Sequence, residues 1–214
     1  MSDRRSNWQY QTPTVPKLTN KIRFLHIPKT AGSTFDECLF QQYLPPYLLR
    51  RLFVFRGKLE DNVRRFAAMS SAQRERIAVC TGHAPLLTGI DAVDAMPTVT
   101  LLRDPVARVR SFCQHVSEGK SLQLYNPAVD GVFDLDAFLA VDRLQLHNFQ
   151  ARMLLGQGSY ELPRGNPDTL AAQGLTVLQS RIACFGVTQD LDRSLLFFLE
   201  VLGWQRWPVY RSRN

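Results

Sequence analysis

No apolar run in the 214 residues approaches the roughly 18 that a membrane-spanning helix needs. The opening stretch, MSDRRSNWQYQTPTVPKLTN, lacks the apolar core of a signal peptide, so a cytoplasmic location is expected. Cysteine is scarce: Cys38, Cys80, Cys113 and Cys184 are far apart, and they read as buried thiols of a reducing compartment rather than a disulfide framework. No internal repeat or low-complexity tract is visible. Disorder is excluded by composition, since 45% of the residues are hydrophobic and only 21% charged. The length suits one domain.

Short apolar runs alternate with helical segments, a rhythm that predicts α/β architecture with a parallel sheet wrapped by helices. Strands are expected at Lys21–Ile27, Arg76–Gly82, Thr98–Arg103 and Arg181–Val187. Each is almost continuously apolar or β-branched, as strands buried on both faces are. Helices are expected at Ser33–Tyr43, Leu59–Met69, Pro105–Glu118, Leu135–Val141, Leu144–Leu155, Asp168–Gln179 and Asp190–Leu202. Residues 1–20 read as a flexible arm, and Gly119–Asp134 and Gly156–Pro167 as loops. Ligands of open parallel sheets bind beyond the carboxyl ends of the strands. Four segments are nominated by that rule: PKTAGST, TGHAP, RDPVARVRS and GVTQD.

The first has the makings of an anion cradle. Pro28 and Gly32 shape a tight connection, the following helix turns its positive end to the loop, and Lys29 adds a mobile charge. Ser33 or Thr34 can cap that helix, and Thr34 with Glu37 spells an S/T-x-x-E capping box, a purely structural alternative. A triphosphate loop of the G-x-x-x-x-G-K-[ST] kind is not spelled, because Lys29 precedes Gly32 and no first glycine lies upstream. The net charge of +7 is concentrated: Leu44 to Arg76 holds eight basic residues (Arg50, Arg51, Arg56, Lys58, Arg64, Arg65, Arg74, Arg76) against three acidic ones (Glu60, Asp61, Glu75). This segment either draws an anionic ligand or is simply a solvated helix surface.

Together, HIPKTAGST and LLRDPVARVRSF resemble the two nucleotide-binding motifs of sulfotransferases that use 3′-phosphoadenosine 5′-phosphosulfate (PAPS). The most similar branch is the carbohydrate 2-O-sulfotransferase-like group (sulfotransferase family 2) with its bacterial relatives. TGHAP, HNFQARMLLG and FGVTQDLDRSLLFFLEVLGW resemble later segments of that branch, in the same order, so the similarity runs from about Lys21 to Trp204. The resemblance implies a single domain over residues 21–214, a P-loop-like central parallel sheet flanked by helices on both faces. Relatives continue past the equivalent of PVYRSRN, so either the chain is truncated after Asn214 or the last elements of the domain are absent.

By the same resemblance Lys29, Thr30, Ala31, Gly32, Ser33 and Thr34 wrap the 5′-phosphosulfate, while Arg103 and Ser111 hold the 3′-phosphate. Arg103 closes a strand and Ser111 lies nearly two turns into the next helix, a spacing suited to a guanidinium fork completed by a hydroxyl. Arg103 paired with Asp104, and Ser111 bonded to its own helix, are the structural alternatives. Arg108 and Arg110 are expected at the surface. Sulfuryl transfer needs a stabiliser for the leaving oxygen and a base for the acceptor hydroxyl; Lys29 and His83 are the candidates. His26 is expected to be structural, and His115 and His147 have no distinguishing neighbours.

No metal is expected: Cys80 and His83 share a C-x-x-H spacing, but a zinc site wants four converging ligands. The acceptor is expected to be a hydroxyl-bearing glycan, acidic or neutral, contacted by Asn148, Gln150 and Arg152 unless those merely satisfy neighbouring backbone. Trp204 and Trp207 are expected in the core rather than against a sugar. A nucleotide-dependent kinase and a non-catalytic anion-binding or nucleic-acid-binding module are the alternatives; the kinase lacks its triphosphate loop, and no specific nucleic-acid motif is spelled.

Overall fold

The computed structural model describes residues 21–43, 51–121, 123–125, 131–141, 143–156 and 167–211. The expected N-terminal arm lies outside them, as does nearly all of the second expected loop. Five parallel strands form one sheet: β1 (Ile22–Leu25), β2 (Leu52–Phe55), β3 (Val79–Gly82), β4 (Thr98–Leu102) and β5 (Cys184–Val187), in the spatial order β2-β3-β1-β4-β5. β1 pairs with β3 on one side and β4 on the other, Arg23 lying opposite both Cys80 and Thr98. The α/β class and the all-parallel sheet agree with the sequence.

The helices are α1 (Gly32–Tyr43), α2 (Leu59–Ala67), α3 (Ser71–Glu75), α4 (Asp91–Asp94), α5 (Pro105–Ser117), α6 (Leu135–Ala140), α7 (Phe149–Leu155), α8 (Pro167–Arg181) and α9 (Leu191–Val201). Among the described residues no helix is long and apolar enough to cross a membrane. Local chemistry sets many boundaries. Asp104 accepts the amide of Ala107 at 2.8 Å and Pro105 follows it, so α5 starts on an N-cap and an N1 proline. Ser70 and Gln73 form a reciprocal capping box at α3. The helix expected over Leu144–Leu155 is broken, because Asn148 adopts a left-handed φ of 50° between a 3₁₀ turn at Leu144–Leu146 and α7.

β2 has no counterpart among the expected strands. Its four residues, LFVF, sit inside the basic segment, and it is an edge strand with only alternate residues buried. Arg65 covers it: the guanidinium lies 4.5 Å over the Phe53 ring and donates to the Val54 carbonyl, occupying main-chain valence that an open edge leaves free. Arg64 pairs with Asp61, and Arg74 donates to the Met69 carbonyl at 2.9 Å. Arg56, Lys58, Arg64, Arg65, Arg74 and Arg76 are all exposed, so the solvated-surface reading of this segment describes them.

Side chains of β1 alternate between the faces. Ile22 and Phe24 pack with Phe35, Leu39, Phe198 and Trp204, whereas Leu25 is buried among Phe149, Met153 and Leu178 on the other face. Each large side chain buried this way contributes about 1.5–3 kcal/mol. Trp204 is in the core as expected; Trp207 is 70% exposed and is not. The four cysteines are free and buried.

A charge also sits at the centre of the sheet. Arg23, 2% exposed, donates to the carbonyls of Pro85 and Leu86 and to Asp94 Oδ1 at 3.1 Å. Asp94 also takes the Thr88 hydroxyl at 2.7 Å and the Gly89 amide at 3.0 Å. The segment after β3 is thereby fastened to the middle of the sheet. Removing one partner of a buried ion pair leaves an uncompensated charge. Asp94→Ala is accordingly expected to lower the unfolding free energy by about 3 kcal/mol. Urea denaturation measures this, and a loss below about 1 kcal/mol would show that the two carbonyls suffice.

Candidate functional site

Because β1 lies between β3 and β4, the connections leaving their carboxyl ends meet. β1 leads into α1 and β4 into α5; β2 and β3 lie on one side of β1, and β4 and β5 on the other, so the order of the sheet reverses about the β1/β4 boundary. That crevice is where such sheets take ligands.

The β1–α1 connection carries two non-glycine residues in the left-handed region, Lys29 at φ 70° and Ala31 at φ 63°. Each such residue costs of order 1–3 kcal/mol and persists only where its surroundings enforce it. The Thr30 hydroxyl, fully buried, donates to the Ile27 carbonyl at 2.8 Å, and the Phe35 amide bonds to Ala31. Thr30 therefore shapes the loop with its side chain and has only its amide to offer a ligand. Left-handed residues at alternate positions turn successive N–H groups to one side, the geometry of an anion nest. α1 begins at Gly32, so Ser33 and Thr34 fall within its first turn rather than at the cap position expected for them. That position goes to Ala31, which has no capping side chain, and the first-turn amides have no intrahelical acceptor. Ser33 is exposed and Thr34 buried.

Gly32 is required by close approach: a Cβ there would lie 2.1 Å from the His26 ring. Gly82 has φ 120°, and a Cβ there would lie 2.4 Å from the Phe55 carbonyl oxygen.

Across the crevice, Arg103 Nη1 donates to the Lys29 carbonyl at 3.2 Å. Its alternative pairing with Asp104 gives way to the N-cap that Asp104 makes. Gln150 grips the main chain of Arg103 at both poles, Oε1 accepting its amide at 2.9 Å and Nε2 donating to its carbonyl at 2.7 Å. From the same helix, the Met153 carbonyl accepts the Leu86 amide at 2.9 Å. α7 thus braces both the Arg103 corner and the segment after His83. Of the residues expected at an acceptor, Gln150 has this bracing role and Arg152, 2% exposed, donates to the His147 carbonyl; Asn148 is exposed. Ser111 sits half-buried on α5.

The electrostatics of the crevice are one-sided. Burial lowers the pKa of Lys29, and the fields of Lys120 and Arg103 lower it further. His115, four residues beyond Ser111 on α5, is lowered by burial and then by Lys29 and Lys120. Glu118 answers Lys120 at 2.6 Å, at the exposed rim. Arg108 corrects an expectation: it is 2% exposed rather than a surface charge, with Nη2 on the Gln145 carbonyl and Nη1 lacking a partner among the described residues. Burial above all brings its pKa down to about 10. Arg110 is exposed, as expected.

His83 follows β3. Its Nδ1 lies 2.9 Å from the His26 carbonyl, which can only accept, so Nδ1 carries the proton and Nε2 the lone pair of the neutral ring. Lost hydration lowers its pKa, as does His26, while the bond to that carbonyl and Asp36 act the other way. The ring keeps an exposed edge. His26, expected to be merely structural, contacts it edge to face with ring centroids 4.4 Å apart. Asp36 and Thr81 complete this group and went unrecognised in the sequence; an acid early in a helix and a threonine near the end of an apolar strand were the only signals. Cys80 is pushed up to about 12 by burial and stays a thiol, and among the described residues no three potential metal ligands gather.

Gln150→Leu removes both grips on Arg103. With each net hydrogen bond worth about 1 kcal/mol, hydrogen exchange at the Arg103 amide is expected to accelerate about fivefold or more while the global melting transition is kept. An unchanged exchange rate would show that the corner is held without Gln150. Neither the scan against protein-family models nor the search of curated proteins returns a match to this chain.

Proposed function

We propose that the chain is a PAPS-dependent sulfotransferase on a P-loop-like sheet, transferring the sulfuryl group to an acceptor hydroxyl of the carbohydrate class. The observation that carries this reading is the β1–α1 nest, with left-handed Lys29 and Ala31 joined to Arg103 across the crevice. A nest beside an excess of cations suits a ligand with two separated anionic groups, as a 3′-phosphate and a 5′-phosphosulfate are.

In this reading the amides of Ala31 to Thr34 and the Lys29 ammonium take the phosphosulfate. Arg103, completed by Ser111, takes the 3′-phosphate. His83 Nε2 accepts the proton of the acceptor hydroxyl as its oxygen bonds to sulfur. The bond from sulfur to the bridging oxygen breaks in line, its electron pair staying on the phosphate, where Lys29 offsets the charge. The products are a sulfate ester, adenosine 3′,5′-bisphosphate and a proton on His83. Arg56 follows Phe55, whose register partner is Gly82, so it stands at the same sheet edge as His83 and favours an acidic acceptor.

His83→Ala is expected to keep bisphosphate affinity and lower turnover from labelled PAPS by about 10²- to 10⁴-fold; an unchanged rate removes His83 as the base. Arg103→Ala is expected to weaken bisphosphate binding about tenfold to a hundredfold by calorimetry, the worth of a charge-assisted bond. In thermal-shift measurements adenosine 3′,5′-bisphosphate should raise the melting temperature. Stabilisation by ATP with Mg²⁺ alone would point to a kinase and sink this reading.

A further inference from the structure

Beneath the nest lies a cluster of titratable groups that the transfer step leaves unused. Asp36, the fifth residue of α1, accepts the Thr81 hydroxyl at Oδ1 at 2.6 Å, and its Oδ2 lies 3.0 Å from His26 Nδ1. Both lone-pair regions of the carboxylate are thereby engaged, and the proton of His26 is directed to Nδ1. The Nε2 to Cδ2 edge of the ring rests against the Cα of Gly32, the first helical residue of the anion nest. The same residue offers its carbonyl to His83 Nδ1 at 2.9 Å and its ring to the His83 ring at 4.4 Å. Phe24 and Phe35 close the apolar side: the Phe24 ring stacks on His26 at 5.3 Å and meets Phe35 at a tilt, 4.6 Å between centroids.

We infer that His26 is a positioning residue, itself held by Asp36, that keeps His83 neutral and aims its Nε2 outward: its carbonyl fixes the Nδ1–H tautomer, and its ring, anchored by Asp36 and Thr81, crowds the His83 ring. Lost hydration and the neighbouring ring both disfavour a second proton on His83. Asp36 reaches His26 directly and His83 only through space. The groups facing the pair are Asp36 from α1, Thr81 from β3 and the two phenylalanines; the charges that act on His83 among the described residues are those of His26 and Asp36. Lys29, on the same connection, acts toward Arg103, Lys120 and His115 instead. The catalytic meaning of the inference rests on His83 being the base proposed above, but the coupling of the two rings does not.

With only four histidines in the chain, ring resonances are resolvable by NMR, and the titration of each can be followed without any turnover. In His26→Gln, which keeps a polar side chain of similar reach, His83 is expected to titrate at higher pH than in the parent protein. In Asp36→Asn, His83 is expected to titrate at lower pH, because the carboxylate that favours its charged form is gone; this variant keeps the test open if His26→Gln fails to fold. Either titration remaining where it is in a folded variant overturns the inference. The acid limb of the sulfate-transfer rate should follow the His83 titration, moving to higher pH in His26→Gln. A displaced NMR titration with an unmoved rate profile upholds the coupling and dismisses His83 as the base.

Discussion

The turn from β1 into α1 has no room for a side chain at residue 32, and much of the site depends on that contact. The imidazole of His26 fills the space where a Cβ would go. With the ring wedged there, the chain enters α1 through left-handed Lys29 and Ala31, and the first-turn amides are left to face outward. The same ring touches His83 and its backbone carbonyl orients it. One close approach thus sets both the shape of the anion nest and the aim of the candidate base.

Two kinds of charge are handled in opposite ways. Arg23, in the centre of the sheet, is answered by two carbonyls and a carboxylate, so it is fully accommodated and fastens the segment after β3. Lys29 is pressed by Arg103 and Lys120, and His115 by Lys29 and Lys120, while Glu118, paired with Lys120 at the rim, offsets them only in part. An interior charge must be neutralised by its own chain, because water is excluded. A set of cations at a crevice mouth can remain in excess, and such an excess favours anions.

Legibility in the sequence followed the range of the interactions involved. β1, β3 and β4 were readable because a strand buried on both faces needs an unbroken apolar run; β5, an edge strand whose Phe185 and Val187 are exposed, was readable because those outward side chains are apolar too. β2 was not, since an edge strand of four residues is covered by Arg65 rather than by its own neighbours in sequence. The break at Asn148 escaped a reading by periodicity because the apolar spacing continues across it. At the site, Lys29, Gly32, Arg103 and His83 stood out as polar or small residues interrupting apolar runs at strand ends. Asp36 and Thr81 did not, and Gln150 stood out only as an acceptor contact, because each has its role toward a partner elsewhere along the chain: Asp36 toward His26 and Thr81, Gln150 toward Arg103.

The sequence by itself determined the parallel α/β plan and the places where strands give way to loops, since burial on two faces and the turn chemistry of glycine, proline and capping residues are local demands. Only the tertiary structure decided which polar groups serve the fold and which remain available to a ligand. Gln150 became a brace, Arg108 went inside, Trp207 stayed outside, and His26 moved from a background residue to the neighbour of His83. The physical reason is that hydrogen-bond satisfaction and pKa depend on what is near in space, and the strand order brings together residues 57 positions apart, as between His26 and His83.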